Sequence, residues 1–302
     1  MTKRIRQEDT KGNKKMIDII KDGETVKVIK DLTPQQLAIL NQKNDLKTHC
    51  SQLGGFINVC YVKNELLFNE FNLNRATISR LVFLATYIDY NNREANVLVK
   101  HGKDNKLEYL TRKDLKQLLK LSDDVLRLFL KEAKEKELLF ENNEKYYLSN
   151  KTFSRGKCMF DKKGYARLFI GTIRFLYENS NTRQHKQLSY IFQLIPFLHY
   201  ESNILCINPD ETNMKNVVRL SLFDICKLLK IGTSKATMSK FEKNLLKFCI
   251  ELDGEKYYLF KRVIIKGHIK NNDFFVVNPN VIWKGSDLTI SRKSLEFLVF
   301  ND

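Results

Sequence analysis

Shifted by 110 residues, the chain comes into register with itself, so its fold must accommodate two similar units placed head to tail. Residues 78–90, ISRLVFLATYIDY, fall on 188–200, LSYIFQLIPFLHY. Ile78 then meets Leu188, Ser79 meets Ser189, Leu81 meets Ile191, Leu84 meets Leu194, Ile88 meets Leu198 and Tyr90 meets Tyr200. Farther on, LTRKDLKQLLKL at 110–121 falls on LSLFDICKLLKI at 220–231, with Asp114 on Asp224 and Lys120 on Lys230. The offset then becomes 111, because EKYYL at 144–148 recurs at 255–259. One residue has entered the second copy near its central turn. A repeat of this size implies two similar folds, each with its own core.

The repeat divides the chain into an N-terminal arm and strand–helix extension (1–50), a first domain (51–156), a second domain (157–267) and a C-terminal strand extension without a counterpart (268–302). The boundary falls near RGKCMFDKKGY at 155–165, which is charged and holds two glycines. Residues 1–15 read as a flexible charged arm. The stretch VKVIKDLTPQQLAILNQ after it reads as a strand, a turn at Pro34 and a helix.

Within each copy the order is helix, turn, helix and β-hairpin. In the second copy Ser221 can cap a helix whose Leu222, Ile225, Leu228 and Leu229 recur at helical spacing. Gly232 is expected to end it in the left-handed conformation. Thr233 or Ser234 then caps KATMSKFEKNLLKF, where Met238, Phe241 and Leu245 face the core and Lys235, Ala236, Ser239 and Lys240 face outward. FCIELDGEKYYLFKRVIIKG alternates as a hairpin turning at Asp253-Gly254, and FENNEKYYL of the first copy turns at Asn142-Asn143. The expected fold class is mainly helical α+β: two tandem winged helix-turn-helix domains from an internal duplication.

Charge narrows the partners. Lys and Arg number 52 against 35 Asp and Glu, a formal net charge of +17, which favours nucleic acid or an anionic membrane surface. No apolar run approaches the ~20 residues that cross a bilayer, and the N-terminus has no apolar signal core, so a soluble cytoplasmic protein is expected. The six cysteines form no CxxC pair and the five histidines have no ligand spacing. Neither a metal nor a cofactor is expected. Residues 224–248 carry six lysines against Asp224 and Glu242, a net +4. A helix with outward lysines and small polar groups can enter the major groove, and a basic wing can neutralise the flanking backbone. The contact candidates are Thr233, Ser234, Lys235, Thr237, Ser239, Lys240 and Lys243 on the helix, and Lys261, Arg262 and Lys266 on the wing. The first copy places Asp123-Asp124 in the first turn of its equivalent helix, where carboxylates suit the helix but repel phosphate. It is expected to bind DNA weakly through Arg112, Lys113, Arg127 and Lys131, or to contact protein.

KLLKIGTSKATMSKFEKNLLKFCIELDGEKYYLF followed by FFVVNPNVIWKG resembles the winged-helix core of plasmid and phage replication (Rep) proteins of Gram-positive bacteria. Phage DNA-binding regulators use the same module. The two-copy layout is similar to initiators built from two winged-helix domains, in which the second commonly makes the principal origin contacts and the first aids dimerisation or makes secondary contacts. The resemblance implies a reader helix at 234–247, a basic wing at 254–266, double-stranded DNA as ligand, and recruitment of host replication or transcription proteins. A homodimer stays open. So do a transcriptional regulator and a protein-interaction module that inhibits a nucleic-acid-processing complex, the latter through Asp123-Asp124 with Leu126, Phe129 and Leu130. No P-loop, dinucleotide fingerprint or HExxH motif occurs. Tyr146, Tyr147, Tyr257 and Tyr258, the nearest features to a nicking nucleophile, read as hairpin packing, and no catalysis is expected.

Overall fold

The computed structural model describes residues 2–8, 14–20, 27–29, 44, 47–61, 71–91, 94–156, 164–252, 254–264 and 273–285. They fall into two compact units, Met1–Thr48 and His49–Asp302. The first unit contains an antiparallel sheet of β1 (Thr2–Glu8), β2 (Lys14–Ile20) and β3 (Lys27–Ile29), with Glu8 opposite Lys14 and Arg4 opposite Asp18 in the register. The expected arm at 1–15 is therefore strand over much of its length. Pairing with a later strand is a non-local event that a charged composition does not reveal. The helix expected after Pro34 lies outside the described residues.

The second unit is mixed α+β, with helices and small antiparallel sheets. Its first half runs β4 (Phe56–Cys60), α1 (Arg75–Ala85), β5 (Val99–His101), β6 (Leu107–Tyr109), α2 (Arg112–Leu119), α3 (Asp123–Glu135), β7 (Leu139–Asn142), β8 (Lys145–Leu148) and β9 (Phe153–Ser154). The second half runs β10 (Tyr165–Phe169), α4 (Ile170–Glu178), α5 (Thr182–Gln193), α6 (Leu222–Leu228), α7 (Lys235–Leu245), β11 (Cys249–Leu252), β12 (Glu255–Tyr258), β13 (Phe260–Ile264), β14 (Asp273–Val277) and β15 (Ile282–Trp283). One four-stranded sheet, ordered β15-β10-β4-β9, draws on both halves. Its central ladder is symmetric about Asn58 opposite Arg167, with Val59 facing Ala166 on one side and Ile57 facing Leu168 on the other.

Local chemistry recurs at the repeat spacing. Thr111 and Asp114 form a capping box on α2, and Ser221 and Asp224 form the same box on α6. Each cap is worth about 1 kcal/mol. Lys120 and Lys230 both turn left-handed after these helices, at φ 52° and 53°. The left-handed residue is thus Lys230; Gly232, expected in that role, has no positive φ. Ile231 N donates to Cys226 O at 2.8 Å and Leu121 N to Lys116 O at 3.2 Å, which closes both helix ends in the Schellman manner.

The strands recur as well, but not in the register that EKYYL suggested. Leu148 N donates to Asn96 O and Ser149 N to Leu138 O; Val277 N donates to Asn203 O and Asn278 N to Leu259 O. Cys60 N reaches Thr152 O at 2.8 Å, and Phe169 N reaches Val281 O at 3.1 Å. Arg155 donates to Ile88 O at 2.7 Å, and Lys284 to Leu198 O at 2.8 Å. A Cβ on Gly156 would lie 3.3 Å from Tyr90 O, and one on Gly285 2.8 Å from Tyr200 O. YLSNKTFSRG at 147–156 and VVNPNVIWKG at 276–285 therefore fill matching positions, and the segment read as a C-terminal extension supplies β14 and β15. The second EKYYL lies on β12 and the following Leu259, within an additional β11–β12 hairpin between α7 and β13.

The halves also share one core. Leu81, Phe83 and Leu84 of α1 belong to the same buried cluster as Leu188, Ile191 and Phe192 of α5. Phe83, Tyr177 and His185 stack at 4.1 and 3.9 Å between ring centroids. The expectation of separate cores gives way because α1 is buried along nearly its whole length and α5 packs directly against it. Each such buried side chain contributes about 1.5–3 kcal/mol, too much for either half to leave in water.

Candidate nucleic-acid interface

The α6–turn–α7 segment is positioned by its buried faces. Ile225 and Cys226 anchor α6, while Phe241 and Leu245 anchor α7. Ser234 caps α7: its Oγ accepts from Thr237 N at 3.3 Å and lies 2.8 Å from Thr237 Oγ1. The anchoring turns the other side outward, so Thr233, Ser234, Lys235, Thr237, Ser239, Lys240 and Lys243 are all exposed. This face presents three ammonium groups and several hydroxyls, the donor set that phosphates and base edges accept from.

The wing candidates divide. Arg262 on β13 donates to Glu242 Oε1 at 2.8 Å and to Asp273 Oδ2 at 2.6 Å. Burial opposes its charge, but those two carboxylates outweigh burial and hold its pKa above the ordinary value. Arg262 is thereby a brace joining α7, β13 and β14. Lys261 is half-buried, and burial lowers its pKa. Lys266 lies outside the described residues.

In the first half Arg112, Arg127 and Lys131 are exposed, as is Lys113. Arg127 lies 3.6 Å from Asp124 and Lys131 3.8 Å from Glu135; solvent-exposed pairs of this kind are held weakly. Asp123 accepts from Lys116, and that hydrogen bond holds its carboxyl below the usual range. Leu126, Phe129 and Leu130, considered as a partner face, are buried in the core; the exposed apolar residues of α3 are Val125 and Leu128, the latter 60% accessible. The reason is a phase: core residues recur at 126, 129, 130 and 133, which turns 125 and 128 outward.

The four hairpin tyrosines are engaged in packing or hydrogen bonds. Burial first, then Glu141, pushes the Tyr146 phenol up to about 12. Tyr147 donates to Glu94, Tyr257 to Glu255 at 2.8 Å, and Tyr258 is half-buried. Cys50, Cys206, Cys226 and Cys249 are free thiols. Among the described residues no helix is long and apolar enough to cross a membrane.

Sequence reading did not single out Arg75, Arg183 and Lys186, which line a cleft beside the exposed face of α7. They lie on α1 and α5, and only packing brings them to α7. Comparison with family models, curated proteins and solved structures gave no match for this chain.

Proposed function

We propose that the chain is a sequence-specific double-stranded DNA-binding protein built from two winged-helix copies, acting as a plasmid or phage replication initiator. The observation that carries this is α7, whose capped, well-anchored frame exposes Lys235, Ser239, Lys240 and Lys243 together. The recurrence of capping boxes, left-handed lysines and strand contacts supports the duplication, and the β13–β14 ribbon stands where β7–β8 stands in the first half. Two linked copies raise the effective concentration of the second contact, so a weak first copy can still add specificity. A transcriptional regulator would use the same surface, and the location of the bound site, origin or promoter, separates the two.

The first half supports a second role, contact with host replication proteins or with another copy of the chain. The observation favouring it is the outer face of α3, where Asp123 and Asp124 precede the exposed Val125 and Leu128. DNase footprinting on the DNA surrounding the gene tests the main reading. A discrete protected site that Lys235→Ala/Lys240→Ala abolishes is the expected result; protection no stronger than on random DNA would sink it.

A further inference from the structure

A cleft of about 280 Å³ runs between α5 and α7. Arg183 and Lys186 stand on its α5 wall, Lys240 and Asn244 on its α7 wall, and Arg75 reaches it from the start of α1. None of its described lining residues is acidic. Arg183, Lys186 and Lys240 are exposed. The Arg75 guanidinium is fixed 4.6 Å over the Tyr190 ring and donates to Leu229 O, the C-cap of α6, at 3.3 Å. Four cations gathered without an acid raise a local positive potential that an entering anion relieves.

The first half shows what such a groove holds when it is satisfied internally. Aligned on their caps, Ser122 and Ser234, α3 and α7 place Glu132 where Asn244 stands. Glu132 accepts from Asn74 N at 2.6 Å and from the Thr77 hydroxyl at the start of α1. There the protein supplies its own carboxylate. In the second half the acid is replaced by a neutral amide, and cations surround the position.

We propose that this cleft is a phosphate site whose occupant is a backbone phosphate of the duplex read by α7. The proposal rests on the reading of α7 given above and adds two things to it. Arg183 and Lys186 extend the contact beyond the reader helix to α5. Arg75 makes the site a joint product of both halves, so that the first half contributes to binding by the second. Phosphate oxygens match these donors: guanidinium groups bind them through paired N–H groups, and ammonium groups bind as point charges.

The test uses the full chain and a labelled random-sequence duplex of about 30 base pairs, titrated between about 0.05 and 0.3 M salt. Arg183→Gln/Lys186→Gln is compared with wild type and with Lys235→Ala/Lys243→Ala, which leaves the cleft lining intact. The cleft variant should bind about tenfold more weakly near 0.1 M salt and reduce the salt slope by about 2, one for each lost phosphate contact. Unchanged melting shows that it is folded; Arg183→Gln alone serves if the double variant is not. Wild-type binding by the cleft variant, with binding lost in the α7 variant, overturns the phosphate site and leaves the reader helix standing. Wild-type protein that binds no duplex, or binding unchanged in both variants, overturns the reading of α7 and the backbone site together. A parallel melt in inorganic phosphate separates the sources: stabilisation lost in the cleft variant, without duplex binding, would assign the site to free phosphate and overturn the backbone proposal.

Discussion

Lys284 is buried at 4% exposure, and its Nζ donates to Leu198 O at 2.8 Å while lying 4.8 Å from the Tyr61 ring centroid. Burial depresses its pKa from 10.5 to about 8; Asp210 and Cys206 oppose that shift without overcoming it. Below pH 8 the ammonium is charged in both folded and unfolded chains, and the folded state carries the full cost of burying it. Between pH 8 and 10.5 the folded chain releases the proton while the unfolded chain keeps it, so stability rises with pH. The whole interval corresponds to about 3 kcal/mol, of which about 2–3 kcal/mol falls between pH 7.5 and 10. Burial pushes the neighbouring Cys206 thiol up to about 12 and raises the Tyr61 phenol, so both stay protonated in the folded chain across this window; their ionisation on unfolding is common to wild type and variant and cancels in the comparison. Lys284→Met keeps an unbranched side chain one atom shorter and removes the titration. Its loss of a donor to Leu198 O costs roughly 1–3 kcal/mol, a term independent of pH. Urea unfolding of both proteins at pH 7.5 and 10 should show wild type gaining about 2–3 kcal/mol over the variant. Parallel pH profiles for the two proteins would refute the argument.

Lys230→Gly should stabilise the chain by about 1 kcal/mol, because a left-handed backbone at φ 53° strains any residue with a Cβ; thermal melting measures it. Asp123→Lys/Asp124→Ala gives α3 the first two residues of α7. If α3 faces duplex in the complex, affinity should rise several-fold and the salt slope steepen by about 1 or more, at a cost near 1 kcal/mol from the lost helix-terminus interactions. Binding titrations across salt would show no change if α3 faces protein instead.

The helices were legible in the sequence because their signals are local. Capping residues, apolar spacing and outward lysines are set within a few turns, so Ser221, Ser234, Phe241, Leu245 and the exposed lysines of α7 all follow from their neighbours. Glycine adopts the left-handed conformation most cheaply, which favours Gly232, yet the hydrogen bonds from Lys230 and Ile231 back to α6 place it at the lysine two positions earlier. Strand partnership was less accessible. EKYYL recurs as a string, but β14 and not β12 pairs in the position of β8, since pairing depends on which segment delivers Phe275, Val276 and Val277 to the core. Composition states the net charge but not which cations folding neutralises. Arg262 counted as a basic wing residue until folding brought Glu242 and Asp273 to it. Arg75 and Arg183, far apart along the chain, lie in one cleft only because α1 and α5 bury each other. The sequence by itself determined the repeated helices and the face α7 turns outward; tertiary structure decided the strand partners, the neutralised charges and the cationic cleft, because each depends on groups that only packing makes neighbours.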